Sequence, residues 1–266
     1  MWNTLIIDPF TNALLWIYSL IQNVPGAFGF AIILFTILIR VVTWPLNAQQ
    51  LKGAKAMQDL QNDKEWKSIQ KKYAKDKEKL AQEQMRIYKE KGINPFASCL
   101  PTLIQFPIII GLYQSIIRAL ASTPLGLLNL ARSLYPSLNV AALIPLNSKF
   151  LWMDLGNPEG IPLPFEVSFL PNGFPTLAII VAITTYIQSK LTMPATSSPG
   201  DQSAMMGNTM SIYMPLLLGY FALTFASGLS VYFITSNLLG IIQYAMMGRA
   251  NWSNLIPGRN KTSVIK

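Results

Sequence analysis

Residues 26–46 read GAFGFAIILFTILIRVVTWPL, and the only charge in that run is Arg40. A hydrocarbon core of ~30 Å is crossed by ~20 apolar helical residues. The stretch therefore reads as a membrane span with a cation inside it, which sets the fold class. Thr36, Arg40, Thr43 and Asn47 recur at i, i+4, i+7 and i+11, so they share one helix face.

Four more stretches have the same character: 96–118, 174–193, 208–226 and 229–247. The last two are parted only by Ser227-Gly228, which predicts a tight hairpin. Pro101 and Pro107 fall inside the second, where neighbouring helices can re-satisfy the freed backbone groups. Residues 1–25 carry Ile6, Phe10, Ala13, Ile17 and Leu20 at helical spacing among polar positions. They read as an amphipathic helix lying in the interface, with an uncleaved signal segment or a sixth span as alternatives. The expected fold is all-α and polytopic: a five-helix transmembrane bundle, a helical hairpin at 47–92 and an N-terminal interfacial helix.

Composition narrows the chemistry. Charged residues are 12% of the 266, against ~25% in a soluble domain. With no histidine and the single Cys99, triads that use histidine, intrachain disulfides and paired-cysteine metal sites are excluded. No cofactor, metal or covalent chemistry is expected. Residues 47–92 hold 12 Lys/Arg and 7 Asp/Glu, a net +5, and the tail 248–266 adds Arg249, Arg259, Lys261 and Lys266 without an acid. Four spans separate these two basic segments, so both fall on one side, which the Lys/Arg rule makes cytoplasmic. The loop 194–207 joins them there. The segment 119–173, with two basic and three acidic residues, falls outside with the N-terminus.

Within 47–92 the apolar spacing predicts helices over 47–73 and about 77–91, with Asp76 as the second N-cap and Gly92 and Asn94-Pro95 as the stop. Such an arm reads either as a docking device for a ribosome, targeting factor or nascent chain, or as a solvated loop that enforces topology and touches anionic lipid.

Polar stripes mark the other spans too: Ser98, Thr102 and Gln105; Thr184 and Gln188; Tyr232, Ser236, Gly240 and Gln243. Gln105, Gln188, Gln243 and Arg40 all lie in the cytoplasmic half, where they predict a hydrophilic pocket closed outwards by apolar residues. The competing readings are snorkelling by Arg40 and ordinary interhelical hydrogen bonds. No Asp or Glu lies in any span, which counts against an ion-coupled transporter.

Several stretches in order resemble the YidC/Oxa1/Alb3 family of membrane protein insertases: IRVVTWPLNAQQ at 39–50, YKEKGINPFASCLP at 88–101, FLWMDLGNP at 150–158, ITTYIQSKL at 183–191 and the long run 214–243. The resemblance implies an insertase and chaperone with a cytosol-open groove centred on Arg40. Thr36, Tyr232 and Phe233 match its client-contacting positions, and Gln188 a groove glutamine. Some relatives carry tryptophan where Phe233 stands, and proline near Ala226-Ser227-Gly228. The resemblance implies nascent membrane proteins as clients, with the ribosome, a signal recognition system, the Sec translocon and membrane lipids as partner candidates and no specific nucleic acid. It implies a bacterial plasma membrane, multi-pass, with the thylakoid membrane as the second location. A small-solute transporter or channel and a purely structural translocon partner are the rival functions.

The orientation is testable with Cys99 replaced by Ser. A cysteine at Gln70 or Lys261 should be shielded from an impermeant thiol reagent outside intact cells, and one at Leu138 should react. Labelling at Gln70 from outside would reverse the topology.

Overall fold

A computed structural model describes residues 1–48, 63–73, 76–92, 100–121, 123–136, 146–162, 173–192 and 202–247, with a few single positions between them. Ser98, the tail 248–266 and most of the 194–207 loop lie outside the described residues, as does the side chain of Thr102. The chain is mostly helical. A π-helical turn, Asn3–Ile7, leads into α1, Asp8–Ile21. Then come α2 (Ala27–Val42), α3 (Lys64–Lys72), α4 (Lys77–Glu90), α5 (Leu100–Ala119) and α6 (Pro124–Ser133). A small hairpin of β1 (Lys149–Phe150) and β2 (Met153–Asp154) precedes α7 (Thr176–Thr192), α8 (Gln202–Thr224) and α9 (Ser227–Met246).

The main core lies at one end of the bundle, here called the closed end, where α8 turns into α9. Phe28, Ala31, Ile32 and Phe35 of α2 meet Leu112 and Ile116 of α5, Val181 of α7 and Leu229 of α9. Beyond Thr36 the character of α2 changes: Ile37, Leu38, Val41 and Val42 are all exposed. Packing is therefore tight at the closed end and open at the end that leads to the arm.

The β hairpin and the chain after it knit the closed end. Glu159 is buried; one carboxylate oxygen accepts from the Leu177 N–H at the start of α7 (3.0 Å) and the other from the Trp152 indole (2.9 Å). The carbonyls of Asn157 and Leu155 accept from the first N–H groups of α9, Ser227 (2.8 Å) and Gly228 (3.1 Å). Two sets of orphan helix donors are thus satisfied by one segment. Gly29 admits the same segment: a Cβ there would stand 2.2 Å from the Phe150 ring.

Several boundaries differ from the sequence reading. The turn between α8 and α9 is Phe225-Ala226, because the carbonyls of Leu155 and Asn157, just after β2, let α9 begin at Ser227. Residues 202–207, expected in a loop, are the first turns of α8. A single helix over 47–73 does not form. Asp63 is extended (ψ 137°) and caps a new helix through the Glu65 N–H at 2.8 Å. Asp76 does cap α4, through the Lys79 N–H at 3.1 Å. Trp66, absent from the expected arm core, is its most buried side chain beside Ile87, with Leu60 and Tyr88. Lys91 donates to Asp63 at the base of the arm, and that bond with the Glu65 amide holds the Asp63 carboxyl below its ordinary value. The clasp therefore stabilises above the usual carboxylate range and is lost as pH falls through the lowered value.

The N-terminal helix is packed along its length. Phe10 meets Phe35 (5.4 Å between ring centroids) and Tyr18 meets Phe28 (6.0 Å), so α1 runs antiparallel to the closed-end half of α2. Arg118 of α5 donates to Asp8 at 2.5 Å, and the indole of Trp2 to Gln114 at 2.8 Å. Asn12 is buried, donates to the Ser133 carbonyl and accepts from the Tyr135 N–H. Asn3–Ile21 and Ser227–Met246 are each long and apolar enough to cross a membrane, and Ala27–Val42, Thr176–Leu191 and Ser211–Thr224 are shorter apolar helices. Leu138 is buried, so the outer labelling reporter belongs at Tyr135, which is half exposed.

Replacing Glu159 by Ala removes the acceptors of the buried Leu177 N–H and of the Trp152 indole and should cost about 1–3 kcal/mol. Glu159→Gln keeps one acceptor and should lose less. Thermal unfolding in detergent checks the order; equal midpoints for wild type and Glu159→Ala would deny the clip its role.

Candidate functional site

Where the arm-end halves of the helices part, a cavity of about 590 Å³ opens. Its polar side carries Arg40 from α2, Gln105 from α5, Thr185 and Gln188 from α7, and Ser236 and Asn237 from α9. Two apolar walls complete it: Phe106, Ile109 and Tyr113 on α5, and Met214, Leu217 and Phe221 on α8. Towards the closed end the tilted rings of Tyr113 and Phe225 meet with centroids 4.9 Å apart, and Phe221 meets Phe225 edge-on at 5.4 Å, which narrows the space between α5 and α8.

Arg40 reaches across to α9. Its Nη2 donates to the Ser236 carbonyl and hydroxyl, both at 2.7 Å, and its Nε to the same hydroxyl at 3.2 Å. No described carboxylate pairs with it. The guanidinium has five N–H donors and cannot shed its proton, so a half-buried Arg40 held by one serine has hydrogen-bonding capacity left for the cavity. Tyr232 stands one turn closer to the closed end on α9, and its hydroxyl accepts from Gln105 Nε2, joining α5 to α9. The Asn237 amide donates to Thr185 (2.8 Å) and Thr184 (3.1 Å), joining α9 to α7. Gln188 packs over Gly240, where a Cβ would meet its Nε2 at 2.5 Å and Arg40 Nη2 at 3.6 Å. A larger residue at 240 would require the Gln188 amide to shift.

The structure brings Arg40, Gln105, Gln188, Tyr232, Phe233 and Ser236 to the cavity lining. It places the other three expected residues elsewhere. Thr36 is fully buried and returns its hydroxyl to the Ile32 carbonyl at 2.6 Å, because it falls in the tightly packed half of α2. Thr43 closes α2 as its C-cap and donates to the Ile39 carbonyl at 2.9 Å. Gln243 is buried outside the lining, with an unpartnered amide nitrogen. The expected list left out Asn237 and Thr185, and it left out Asn47 although that residue shares the Arg40 stripe. An asparagine amid apolar residues such as Asn237 was itself a signal, since its amide needs partners in an apolar setting.

This arrangement defines a class: a mostly helical protein in which a half-buried Arg40, with no described carboxylate beside it, floors a groove with polar and apolar sides. Residues 19–253 match the family model described as the 60Kd inner membrane protein. The chain is 34% identical over 259 residues to the inner membrane protein ALBINO3 of Arabidopsis thaliana chloroplasts, covering 91% of this chain and 51% of that one. It is 31% identical over 259 residues to the membrane protein insertase YidC of Oceanobacillus iheyensis, covering 94% and 84%. It is 34% identical over 247 residues to the membrane protein insertase YidC 1 of Listeria monocytogenes, covering 91% and 70%. The chain thus spans about half the length of the Arabidopsis relative and most of the two bacterial ones. It belongs to the 60Kd inner membrane protein family, the YidC/Oxa1/Alb3 membrane protein insertases.

Hydrogen bonds to charged groups contribute about 1.5–3 kcal/mol each. Ser236→Ala, which spares the carbonyl contact, should therefore lower stability by about 1–2 kcal/mol. The loss should be much smaller in an Arg40→Ala background. Thermal unfolding of the two single variants and the double variant checks this, and strictly additive losses would show the pair to be uncoupled.

Proposed function

We propose that this chain inserts and helps to fold client membrane proteins through the groove, in the manner its family membership suggests, and that it makes and breaks no covalent bond. The observation that carries the reading is the seat of Arg40 at the polar floor of a cavity whose other walls are apolar. A client segment with a polar flank and an apolar helix has both needs met there. Its flank finds donors and acceptors on α2, α7 and α9, and its helix lies against Phe106, Ile109, Met214 and Leu217. Entering such a groove divides the desolvation of the flank into smaller steps. Arg40 attracts acidic flanks, with less screening than at an open surface.

In this reading α2, α5, α7, α8 and α9 are the five spans, the arm end is cytoplasmic and the closed end faces outwards. The α3–α4 hairpin stands on the side where nascent chains arrive and engages the chain, the ribosome or a targeting factor. The N-terminal helix belongs to the outer leaflet. Its contacts fall on Phe28–Phe35 of α2 and Gly111–Arg118 of α5, so it covers only the outer half of either span. The lipid environment is a bacterial plasma membrane or a thylakoid.

If the charge acts in a wet groove, Arg40→Lys should retain most insertion, since lysine supplies charge without the fork. Arg40→Ala should impair a client with acidic flanks more than a matched client with neutral flanks, and Arg40→Glu should be worst. Insertion of the client pair into proteoliposomes, normalised to folded protein, is the measurement. Equal loss for both clients would remove the electrostatic role.

A further inference from the structure

The β1–β2 hairpin has a tip that its structural role does not explain. The clip that caps α7 and α9 uses Leu155, Asn157 and Glu159 and the inward face of Phe150. The tip itself, Leu151-Trp152, contributes only the indole N–H to Glu159. Leu151 is 72% exposed and Trp152 55% exposed, although both are large and apolar. Leu151 also has φ +52°, the only positive φ of a non-glycine side chain among the described residues. Positive φ at the first residue of a two-residue hairpin turn favours glycine. A bulky side chain is thus held in glycine's conformation and turned outwards.

We propose that Leu151 and Trp152 form an anchor seated in the headgroup–acyl boundary of the outer leaflet. The proposal rests on the membrane orientation given above. Three observations point to lipid. The tip is continuous with the lipid-facing side of α2: Phe150 packs edge-on against Phe30 at 5.3 Å, and Phe30, like Leu34 one turn on, is exposed. The depth of the tip is fixed, because Trp152 is tied through Glu159 to the first turn of α7, the outer end of a span. The chemistry also fits, since an indole with a satisfied N–H and an exposed apolar ring is the side chain enriched at membrane interfaces. Exposed Lys149, just behind the tip, can reach lipid phosphates from there. The anchor thus fixes, through the clip, the height of α7 and α9 and with them the floor of the groove.

The test uses the full chain with Cys99→Ser, reconstituted into vesicles of phosphatidylcholine and phosphatidylglycerol, with an environment-sensitive fluorophore on Leu151→Cys. Labels at Leu38→Cys and Lys79→Cys serve as bilayer and aqueous references. The label at 151 should be blue-shifted relative to that at 79. It should be quenched by lipids with a nitroxide near the headgroup, and spared by aqueous iodide that quenches the label at 79. Iodide quenching at 151 equal to that at 79 would overturn the anchor. Protection from both quenchers, as a second copy or a protein cover would give, would also overturn it. Failure of lipid quenching at Leu38 as well would instead overturn the membrane placement of α2. Because a cysteine at 151 alters the turn, a label at Trp152→Cys repeats the reading from the neighbouring position, where φ is not positive.

Discussion

Everything in the open half of this protein depends on a guanidinium that cannot lose its charge and must be hydrogen-bonded away from bulk water. Arg40 meets that demand on Ser236, one serine on the facing helix, by its hydroxyl and its carbonyl together. The contact ties the exposed end of α2 to α9. Gly240 lies against the same guanidinium and the Gln188 amide. Two helices are thereby held together while the space beside them stays unfilled.

That arrangement needs a rigid frame elsewhere. Lipid removes the hydrophobic drive for helix association, so close packing and interhelical hydrogen bonds must hold the helices together. The closed end supplies both. Ala31, Ala178 and Ala222 are buried there, and Gly228 lets Ile32, Ile116 and the Leu155 carbonyl approach closely. Glu159 and the carbonyls of Leu155 and Asn157 satisfy the first donors of α7 and α9. The arm end offers the opposite balance. Forgone dispersion along the cavity walls is offset by the chain Gln105–Tyr232 and the Asn237–Thr185 bond, which fix the floor without filling it.

What the sequence disclosed follows from the same physics. Long apolar runs, and an arginine inside one of them, are visible in the sequence, so the helical class and Arg40, Gln105, Gln188, Tyr232 and Ser236 were legible as stripes at helical spacing. Thr36 entered the expected site through the family resemblance, and its burial was not legible because periodicity gives a face and not a depth. Gln243 shares a face with Gly240 but lies one turn beyond the groove. The start of α9 at Ser227 was hidden because its capping partners are some seventy residues earlier, at Leu155 and Asn157. The break at Asp63 was legible in principle, as an N-cap residue followed by Glu65, but the apolar periodicity of 47–73 runs straight through it. Trp66 was hidden in a run of charges.

The proposed function requires that the polar floor, and not the exposed face of α2, receive a client. Photoactivatable side chains at Gln188 in the groove, at Phe106 on its apolar wall and at Leu38 on the exposed face of α2 address it in one experiment, against a stalled nascent membrane protein of increasing length. Crosslinks are expected from Gln188 to the polar flank of the client and from Phe106 to its apolar helix, and none from Leu38. Crosslinks from Leu38 with silence at Gln188, from chains whose clients still insert, would contradict it.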